Sequence, residues 1–527
     1  MKSQALSAAS LTALLAGTAS VAAAGSRAAT PDQCVRSIFL PWLCPLDHSL
    51  VPQQYGPHGN AALSSSHQRP STRRSRRPTG PWTTPSAPPE CIVLPRSAAE
   101  VAAAVKALTT GGNARCTPNC QFAVRSAGHM ANAGANNIHA GVTIDLGYMN
   151  STVYKPEQSI ASVGPGARWG SVYTELAKSE VMVAGGRAST VGVGRPAARR
   201  RQLLLRGRVR LRVPRRRQLR GRAGRRLRRR RQPHLQPRPA LAPSRAAPAT
   251  LASSPASTST LWGGTVGWAD AGSAAVIKAM KNFADSAGDH QDSSSIDFWT
   301  FTQGSGATEP IVIAALHSTA GVPAAAPQYR EFLSIPNNIS YAMRKDSLVR
   351  FTDELEVPRG SYNSWQALAF KNDEAVMAFA IDSYKQLMKE FEAETGPSLG
   401  FTTQAMFQPL SAHQFAQAAR SGGNVLGLAD HTETLIMFLG MTAYKDQAKK
   451  AYVDRKMAAW VASIKEFAKS KGADDEYLFL NYAGLNQSPF KGYGEANLKF
   501  MRDVAVRYDP KQVFQNRVPG GFKLKNA

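Results

Sequence analysis

The pattern of apolar and polar positions predicts two stretches of secondary structure after residue 90. In the first stretch, β-branched and apolar residues predict short strands that alternate with two helices, the first capped by Ser97. The strands are predicted at 91–95, 120–125, 142–146 and 159–163, and the helices at 98–108 and 171–179. Strand–helix–strand order with glycine loops between the elements is typical of an α/β or α+β nucleotide-binding lobe.

The second stretch begins at residue 261 and contains longer elements. Strands are predicted at 261–268, 296–302, 311–317, 400–407 and 477–482. Helices are predicted at 273–286, 373–394, 411–420, 444–470 and 495–508, and Asp509-Pro510 ends the last of them. This order predicts antiparallel strands with helices gathered on one side, which is an α+β lobe.

The N-terminus predicts export. The chain has 527 residues, enough for two sizeable cores. Met1-Lys2 and the short apolar run that follows, up to residue 24, predict a secretory signal peptide. Three N-x-S/T triplets, at Asn150, Asn338 and Asn486, are consistent with secretion.

The five cysteines are Cys34, Cys44, Cys91, Cys116 and Cys120. In an oxidising compartment most of them should pair as disulfides, and one is left over. Cys116 and Cys120 have a spacing that a metal pair could use, but the sequence offers no matching second pair, so a disulfide is favoured and no metal site is expected.

Three glycine-bearing turns carry the candidate chemistry. The first is Phe122-Ala-Val-Arg-Ser-Ala-Gly-His129, a strand and tight turn whose small residues let backbone N–H groups approach an anion. The second, Gly164-Pro-Gly-Ala-Arg-Trp-Gly170, runs into a helix. Gly185-Gly-Arg187 and Gly192-Val-Gly194 form the third. The alternatives are a structural turn around a buried histidine and a plain strand–turn–helix.

With these turns in this order, the chain resembles the flavoprotein oxidases of the vanillyl-alcohol oxidase type, in particular the fungal berberine-bridge-enzyme-like branch. The match runs from about Pro89 to Gly194 and from Leu261 to Lys523. The resemblance implies an α+β fold with a two-lobed FAD-binding domain of the PCMH type and an antiparallel-sheet-and-helix substrate domain. The implied division is 1–24 signal peptide, 25–88 poorly matched segment, 89–260 FAD-binding domain, 261–480 substrate domain and 481–527 a berberine-bridge-like segment returning to the FAD lobe.

The resemblance also implies the cofactor site. In the family, the histidine that matches His129 is bonded to the 8α carbon of FAD, which fixes the ring and raises its redox potential. The other residues implied to bind FAD are Arg125, Ser126, Ala127, Gly128, Gly164, Gly166, Ala167, Arg168, Trp169, Gly170, Gly185, Gly186, Gly192 and Gly194. Relatives more often have glycine where Ala127 stands. If φ were positive there, alanine would cost about 1 kcal/mol.

The substrate side departs from the family pattern. Relatives often have Tyr-x-Asn near the C-terminus, with the tyrosine helping to deprotonate substrate, whereas this chain has Phe479-Leu-Asn481. Tyr482 and Asn481 are therefore the catalytic candidates, with core packing as the alternative for the tyrosine. Asp430-His431 and Gln408 could also reach a pocket.

One block holds most of the positive charge. Residues 195–245 contain 21 arginines and no Lys, Asp or Glu, and without these arginines the formal net charge falls from +28 to +7. A polyanion-binding or nucleic-acid-binding arm, a disordered linker and a reading-frame error would each give such a block.

Codon arithmetic favours the reading-frame error. Codons that encode Arg195 to Gln202 can be read one base later as Gly-Leu-Leu-Leu-Gly-Gly-Gly-Asn, and those for Arg210 to Pro214 as Gly-Phe-Ala-Cys. From Ser244 onward, the other shifted reading frame encodes residues that match the family instead. We therefore predict that about residues 195–260 are out-of-frame translation. Many relatives also bond a cysteine to the flavin C6. Its candidate is the cysteine of the shifted frame, not one of the five present.

Taken together, the resemblance implies a secreted FAD-dependent oxidoreductase. Hydride from a carbohydrate, alcohol or secondary-metabolite substrate would pass to covalently bound FAD, with O2 as acceptor giving H2O2. We expect a monomer whose partners are a small-molecule substrate and O2, without nucleic acid or membrane. The alternatives are a polyanion-binding protein that uses the arginine block and a flavin-deficient gene-model product.

Overall fold

A computed structural model describes residues 89, 91–109, 121–130, 132–139, 141–194, 249–252, 260–320, 327–355, 360–420 and 422–527. The predicted signal peptide, the 25–88 segment and the arginine-rich block 195–245 lie outside these residues. So do four of the five cysteines, and the disulfide prediction with them: Cys34, Cys44, Cys116 and Cys120.

The first lobe contains two small sheets in the described residues. One is parallel, with strand order β1-β3-β2, and the other is antiparallel, with order β4-β5-β6. Their strands are β1 Cys91–Val93, β2 Phe122–Arg125, β3 Val142–Asp145, β4 Thr152–Lys155, β5 Ile160–Val163 and β6 Ala249–Ala252. The helices are α1 Ala98–Thr109 and α2 Trp169–Ala177. As predicted, the Ser97 hydroxyl caps α1 by accepting the Glu100 N–H at 3.2 Å.

The second lobe is built on a nine-stranded antiparallel sheet. Its order is β10-β7-β9-β8-β13-β14-β12-β15, and β11 pairs with a second part of β7. The strands are β7 Thr260–Ala269, β8 Ser293–Thr302, β9 Ile311–Ser318, β10 Asn338–Tyr341, β11 Arg344–Ser347, β12 Tyr362–Lys371, β13 Thr402–Leu410, β14 Leu435–Tyr444 and β15 Asp474–Asp475. The helices are α3 Ser273–Asp285, α4 Arg330–Leu333, α5 Leu348–Glu354, α6 Glu374–Thr395, α7 Ala412–Arg420, α8 Lys450–Ser470, α9 Glu495–Tyr508 and α10 Val513–Asn516.

The large sheet separates two environments. On one face, alternate residues such as Trp299 and Phe407 pack under α3, α6 and α8 in the largest core cluster. The other face meets the C-terminal segment and the first lobe, and residues one step out of phase, such as Met437, lie there. The predicted α+β arrangement, with antiparallel strands and helices on one side, is confirmed.

Two predicted elements are wrong near the C-terminus. The helix predicted at 444–470 begins only at Lys450, because Tyr444 ends the strand β14 and Gln447–Lys449 form a short 3-10 helix. No strand forms at 477–482. There the chain turns, with the Tyr482 N–H donating to the Phe479 carbonyl at 2.8 Å. The apolar residues of this segment alternate as they would in a strand, but the Phe479 and Tyr482 rings pack edge-on against each other across the turn.

The C-terminal segment returns to the first lobe, as the resemblance implied. The Phe122 N–H donates to the Arg517 carbonyl at 2.9 Å. The Phe514 ring meets Phe122 edge-on at 6.0 Å, and Val518 lies in the same core. None of the helices in the described ranges is long and apolar enough to cross a membrane.

Candidate functional site

The three glycine-bearing turns meet at one place. The Ser126 hydroxyl in the first turn donates to the Pro165 carbonyl in the second at 2.6 Å. The same hydroxyl accepts the Gly194 N–H of the third turn at 3.3 Å. A single β-bridge also joins Arg168 to Gly192. Motifs up to 68 residues apart in sequence therefore form a continuous surface.

Close approach explains one of the glycines. A Cβ at Gly166 would lie 1.7 Å from the Leu146 carbonyl oxygen, so only glycine lets this turn pack against the end of β3. The turn is held by the Gly166 N–H, which donates to the Met149 carbonyl at 2.9 Å.

The structure removes the concern about Ala127. Gly128, with φ +81°, takes the left-handed conformation in the first turn, and Ala127 does not. Alanine is therefore unstrained at its position, and the expected cost does not arise. The conformation at Gly128 directs the chain to His129, which is buried, with Nε2 2.6 Å from the Thr190 hydroxyl.

Other residues assigned to the cofactor take different positions around the turns. Arg125 is paired with Asp145 on the neighbouring strand at 2.8 Å. The Arg168 side chain is exposed and donates to the Thr190 carbonyl at 3.1 Å. The Trp169 indole is buried against Tyr173 at 5.5 Å, on the side where Gly185 and Gly186 leave room for it. Trp169 thus supports the turns from the core.

Tyr482 is brought to the edge of the turns. Its hydroxyl oxygen accepts a short hydrogen bond from the Arg187 guanidinium, directly after the third turn's glycine pair. It also accepts from the Gln408 amide nitrogen at 3.2 Å. Trp365 and Phe479 meet the phenol ring edge-on at 5.9 and 5.0 Å. The contact joins the two lobes.

The remaining candidates do not reach this cluster. In the part of the chain that the structure describes, no hydrogen bond connects the Asn481 side chain to Tyr482. His431 is instead bound to Asp475, with Nε2 and Oδ2 2.9 Å apart. Of the further candidates Asp430, His431 and Gln408, Gln408 is the one whose side chain contacts the Tyr482 hydroxyl.

Sequence reasoning missed two residues near the cluster. Arg187 lies in the third glycine-bearing turn, but nothing in the spacing of that turn pointed to a tyrosine 295 residues away. His317, on β9, is fully buried. Burial, together with the positive charges of Arg187 and Arg344, lowers its pKa to about 3, so the imidazole is neutral. No sequence signal distinguished it from a core histidine.

The arrangement suits proton removal. An oxygen that already accepts two N–H donors is well placed to carry negative charge, because both donors strengthen their bonds as that charge develops. The ion pairs among the described residues include none between Arg187 and a carboxylate, so its positive charge acts on the phenol oxygen. As a phenolate held by these two donors, Tyr482 can accept a proton from a bound molecule.

Comparisons with known proteins agree with this architecture. A family model described as an FAD binding domain matches residues 89–197. The chain is 31% identical over 446 residues to the FAD-dependent monooxygenase sdcF of Emericella nidulans, covering 84% of this chain and 91% of the relative.

Two solved structures share the fold. The 6-hydroxy-D-nicotine oxidase of Arthrobacter nicotinovorans matches with TM-score 0.58 at 14% identity, over 83% of this chain and 94% of that one. The glucooligosaccharide oxidase of Acremonium strictum matches with TM-score 0.54 at 15% identity, over 83% and 92%, and is described as carrying 6-S-cysteinyl, 8α-N1-histidyl FAD.

Proposed function

The chain belongs to the family of FAD-dependent oxidoreductases that includes sdcF, and from this we propose that it is a secreted oxidase. It would remove hydride from a carbon bearing a hydroxyl group of a carbohydrate, alcohol or secondary metabolite, with O2 as the final acceptor and H2O2 as the product.

The residues present fit FAD. Three turns of mostly small residues meet through Ser126 and form one wall, which suits a diphosphate approached by backbone groups. His129 is buried beside Thr190 at the same place, so a covalent bond from its imidazole to the flavin is part of the proposal. When bound, FAD would accept the hydride and pass two electrons to O2.

The observation that carries the proposal is the contact of Tyr482 with both Arg187 and Gln408. Tyr482, as the phenolate, would take the hydroxyl proton of the substrate as the hydride leaves the adjacent carbon, and would become the neutral phenol. Arg187 and Gln408 Nε2 would stabilise the phenolate before this transfer. Gln408 Oε1, which is buried and has no partner among the described residues, would accept a hydrogen bond from a second polar group of the substrate and orient the substrate.

The first test is the absorbance spectrum of protein expressed from a verified transcript. We expect a yellow protein whose flavin stays with the polypeptide after acid precipitation, and a tryptic peptide containing His129 that carries the added mass. His129→Ala should release the colour into the supernatant. Colourless protein that FAD cannot restore would refute the proposal.

A second candidate reaction follows from the relatives, because sdcF is named a monooxygenase. A screen of alcohols and carbohydrates for H2O2 should be run under ¹⁸O2. Stoichiometric H2O2 without labelled product supports the oxidase, whereas ¹⁸O in the product without free H2O2 supports oxygen insertion.

The polyanion-binding alternative rests on the arginine-rich block, which lies outside the described residues. It predicts a gel shift that weakens steeply with salt. A shift without bound flavin would favour that alternative over the oxidase.

A further inference from the structure

One face of the large sheet carries buried polar atoms without partners. They are His317 Nδ1 on β9, Ser294 Oγ on β8 and Gln408 Oε1 on β13, all within the described part of the chain. These strands are direct neighbours. The His317 and Gln408 side chains are each only 1% exposed. Since buried polar groups without a partner cost free energy, three on consecutive strands require an explanation.

All three atoms lie on the face turned towards the first lobe. Leu316 and Phe407, the neighbours of His317 and Gln408 in sequence, belong to the core under the helices, so His317 and Gln408 point the opposite way. His317 pairs directly with Ser294 across β9 and β8. The imidazole meets Phe351 edge-on at 4.9 Å, and Phe351, on α5, packs into the core cluster of the first lobe.

The surface between and beside these atoms is apolar. On β9 and β8, Ala315 and Ile296 follow His317 and Ser294 on the same face and pair with each other. The next row across the strands is Ile313, Phe298 and Met406, which are neighbours in register and only half-buried. A half-open apolar row with a few convergent polar groups is typical of a small-molecule site.

Geometry fixes the span of the site. His317 and Gln408 are two strands and two residues apart, which places them about 12 Å from each other. The His317 imidazole is neutral, so it offers a hydrogen bond and no charge. Gln408 Oε1 is a carbonyl oxygen and can only accept, and the nitrogen of the same amide donates to Tyr482.

We propose that His317 and Gln408 determine specificity by hydrogen-bonding two neutral polar groups at opposite ends of a largely apolar substrate of at least two rings. Gln408 would accept from a hydroxyl at the reacting end of the substrate, next to Tyr482, and His317 would hold a remote hydroxyl. A linear sugar of this length would leave many hydroxyl groups against Ile296, Ala315 and the apolar row, and is disfavoured. This substrate class rests on the proposed function.

The test measures binding to the full chain from a verified transcript, by calorimetry with 2,6-dihydroxynaphthalene, 2-naphthol and cellobiose. We expect the diol to bind about tenfold more tightly than 2-naphthol, as for one hydrogen bond in a buried site. His317→Phe should abolish this ratio while leaving 2-naphthol binding within about twofold, since one hydroxyl still reaches Gln408. His317→Asn should restore part of the ratio, and His290→Phe, in the loop before β8, should leave it unchanged.

An unchanged ratio in His317→Phe, no diol preference in the wild type, or tighter binding of cellobiose would overturn the inference. If His317→Phe fails to fold, His317→Asn is compared with the wild type. A reduced diol ratio in His317→Asn supports the inference. An unchanged ratio overturns it, because a merely structural histidine would not alter the diol ratio. Flavin absorbance is read in the same samples. Yellow protein without the diol preference refutes this inference alone, and colourless protein with a His317-dependent preference refutes only the proposed function.

Discussion

At the scale of single residues, the proposed chemistry depends most on Tyr482. Tyr482→Phe keeps the ring contacts with Trp365 and Phe479 but removes the oxygen that accepts from Arg187 and Gln408. Turnover should fall by about 10²–10⁴-fold, the usual contribution of a general base. Steady-state H2O2 production measures the loss, and the flavin spectrum should stay that of the wild type.

Tyr508→Phe is the matched control, because that phenol is exposed on α9 and should leave turnover unchanged. Near-normal turnover in Tyr482→Phe would remove the phenol from the mechanism.

Asp297 makes a separate prediction about pH and stability. It is fully buried on β8, accepts from the Ser295 hydroxyl at 2.7 Å and pairs in register with Ala314 and Phe407. Burial raises its pKa to about 8. An unfolded aspartate titrates near 3.9, so between about pH 4 and 8 only the folded state keeps the proton. The free energy of unfolding should therefore fall as pH rises through this interval, by on the order of 5 kcal/mol.

Asp297→Asn stays neutral, so its urea midpoint, followed by tryptophan fluorescence at pH 5, 7 and 9, should decline less with pH than that of the wild type. Asp382→Asn changes an exposed carboxylate on α6 and should keep the wild-type decline. Parallel declines in wild type and Asp297→Asn would show that Asp297 is not protonated in the fold.

At the scale of elements, the meeting of the glycine turns is tested at Gly166. Gly166→Ala places a methyl group 1.7 Å from the Leu146 carbonyl oxygen, and both sides of this contact are backbone. The second turn must shift, which should destabilise the first lobe by about 1–3 kcal/mol and lower flavin content. Thermal unfolding and the ratio of flavin to protein absorbance measure both effects.

Gly288→Ala is the control for Gly166→Ala, since a Cβ there meets no atom within 4 Å. Unchanged flavin content and melting temperature in Gly166→Ala would mean that the turn does not form the cofactor wall.

The same turns show what the sequence can predict. Local motifs identified the turns, His129 and most strands and helices, because glycine spacing and period are local properties. The central strand β14 was missed: it is apolar on both faces, and a continuous apolar run carries no alternation. The contacts of Tyr482 with Arg187 and Gln408 span 295 and 74 residues, and such separations depend on the assembled sheet.

At the scale of the whole molecule, the two lobes are tied at two places. Tyr482 reaches Arg187 from the second lobe. Further along the chain, the Phe514 ring and the Arg517 carbonyl contact Phe122 at the start of the first glycine turn. Residues after α9 therefore complete the first lobe, and the site depends on the chain being correct over its full length.

Because the site depends on the whole chain, it matters most whether the arginine-rich block belongs to the native protein. The match to the FAD binding domain ends at residue 197, just inside the block, and described structure resumes at Ala249, where β6 pairs with β5.

We expect mass spectrometry of the native protein to detect peptides of the shifted frame, such as Gly-Leu-Leu-Leu-Gly-Gly-Gly-Asn, in place of 195–202. Peptides from 261 onward, identical in both versions, are the internal control. Removing about 21 positive charges should also lower the isoelectric point below the 10.2 of the literal sequence. Arginine-rich peptides from 195–245 in purified, flavin-containing protein would contradict the frame error, because such a block of like charges would then belong to a working flavoprotein.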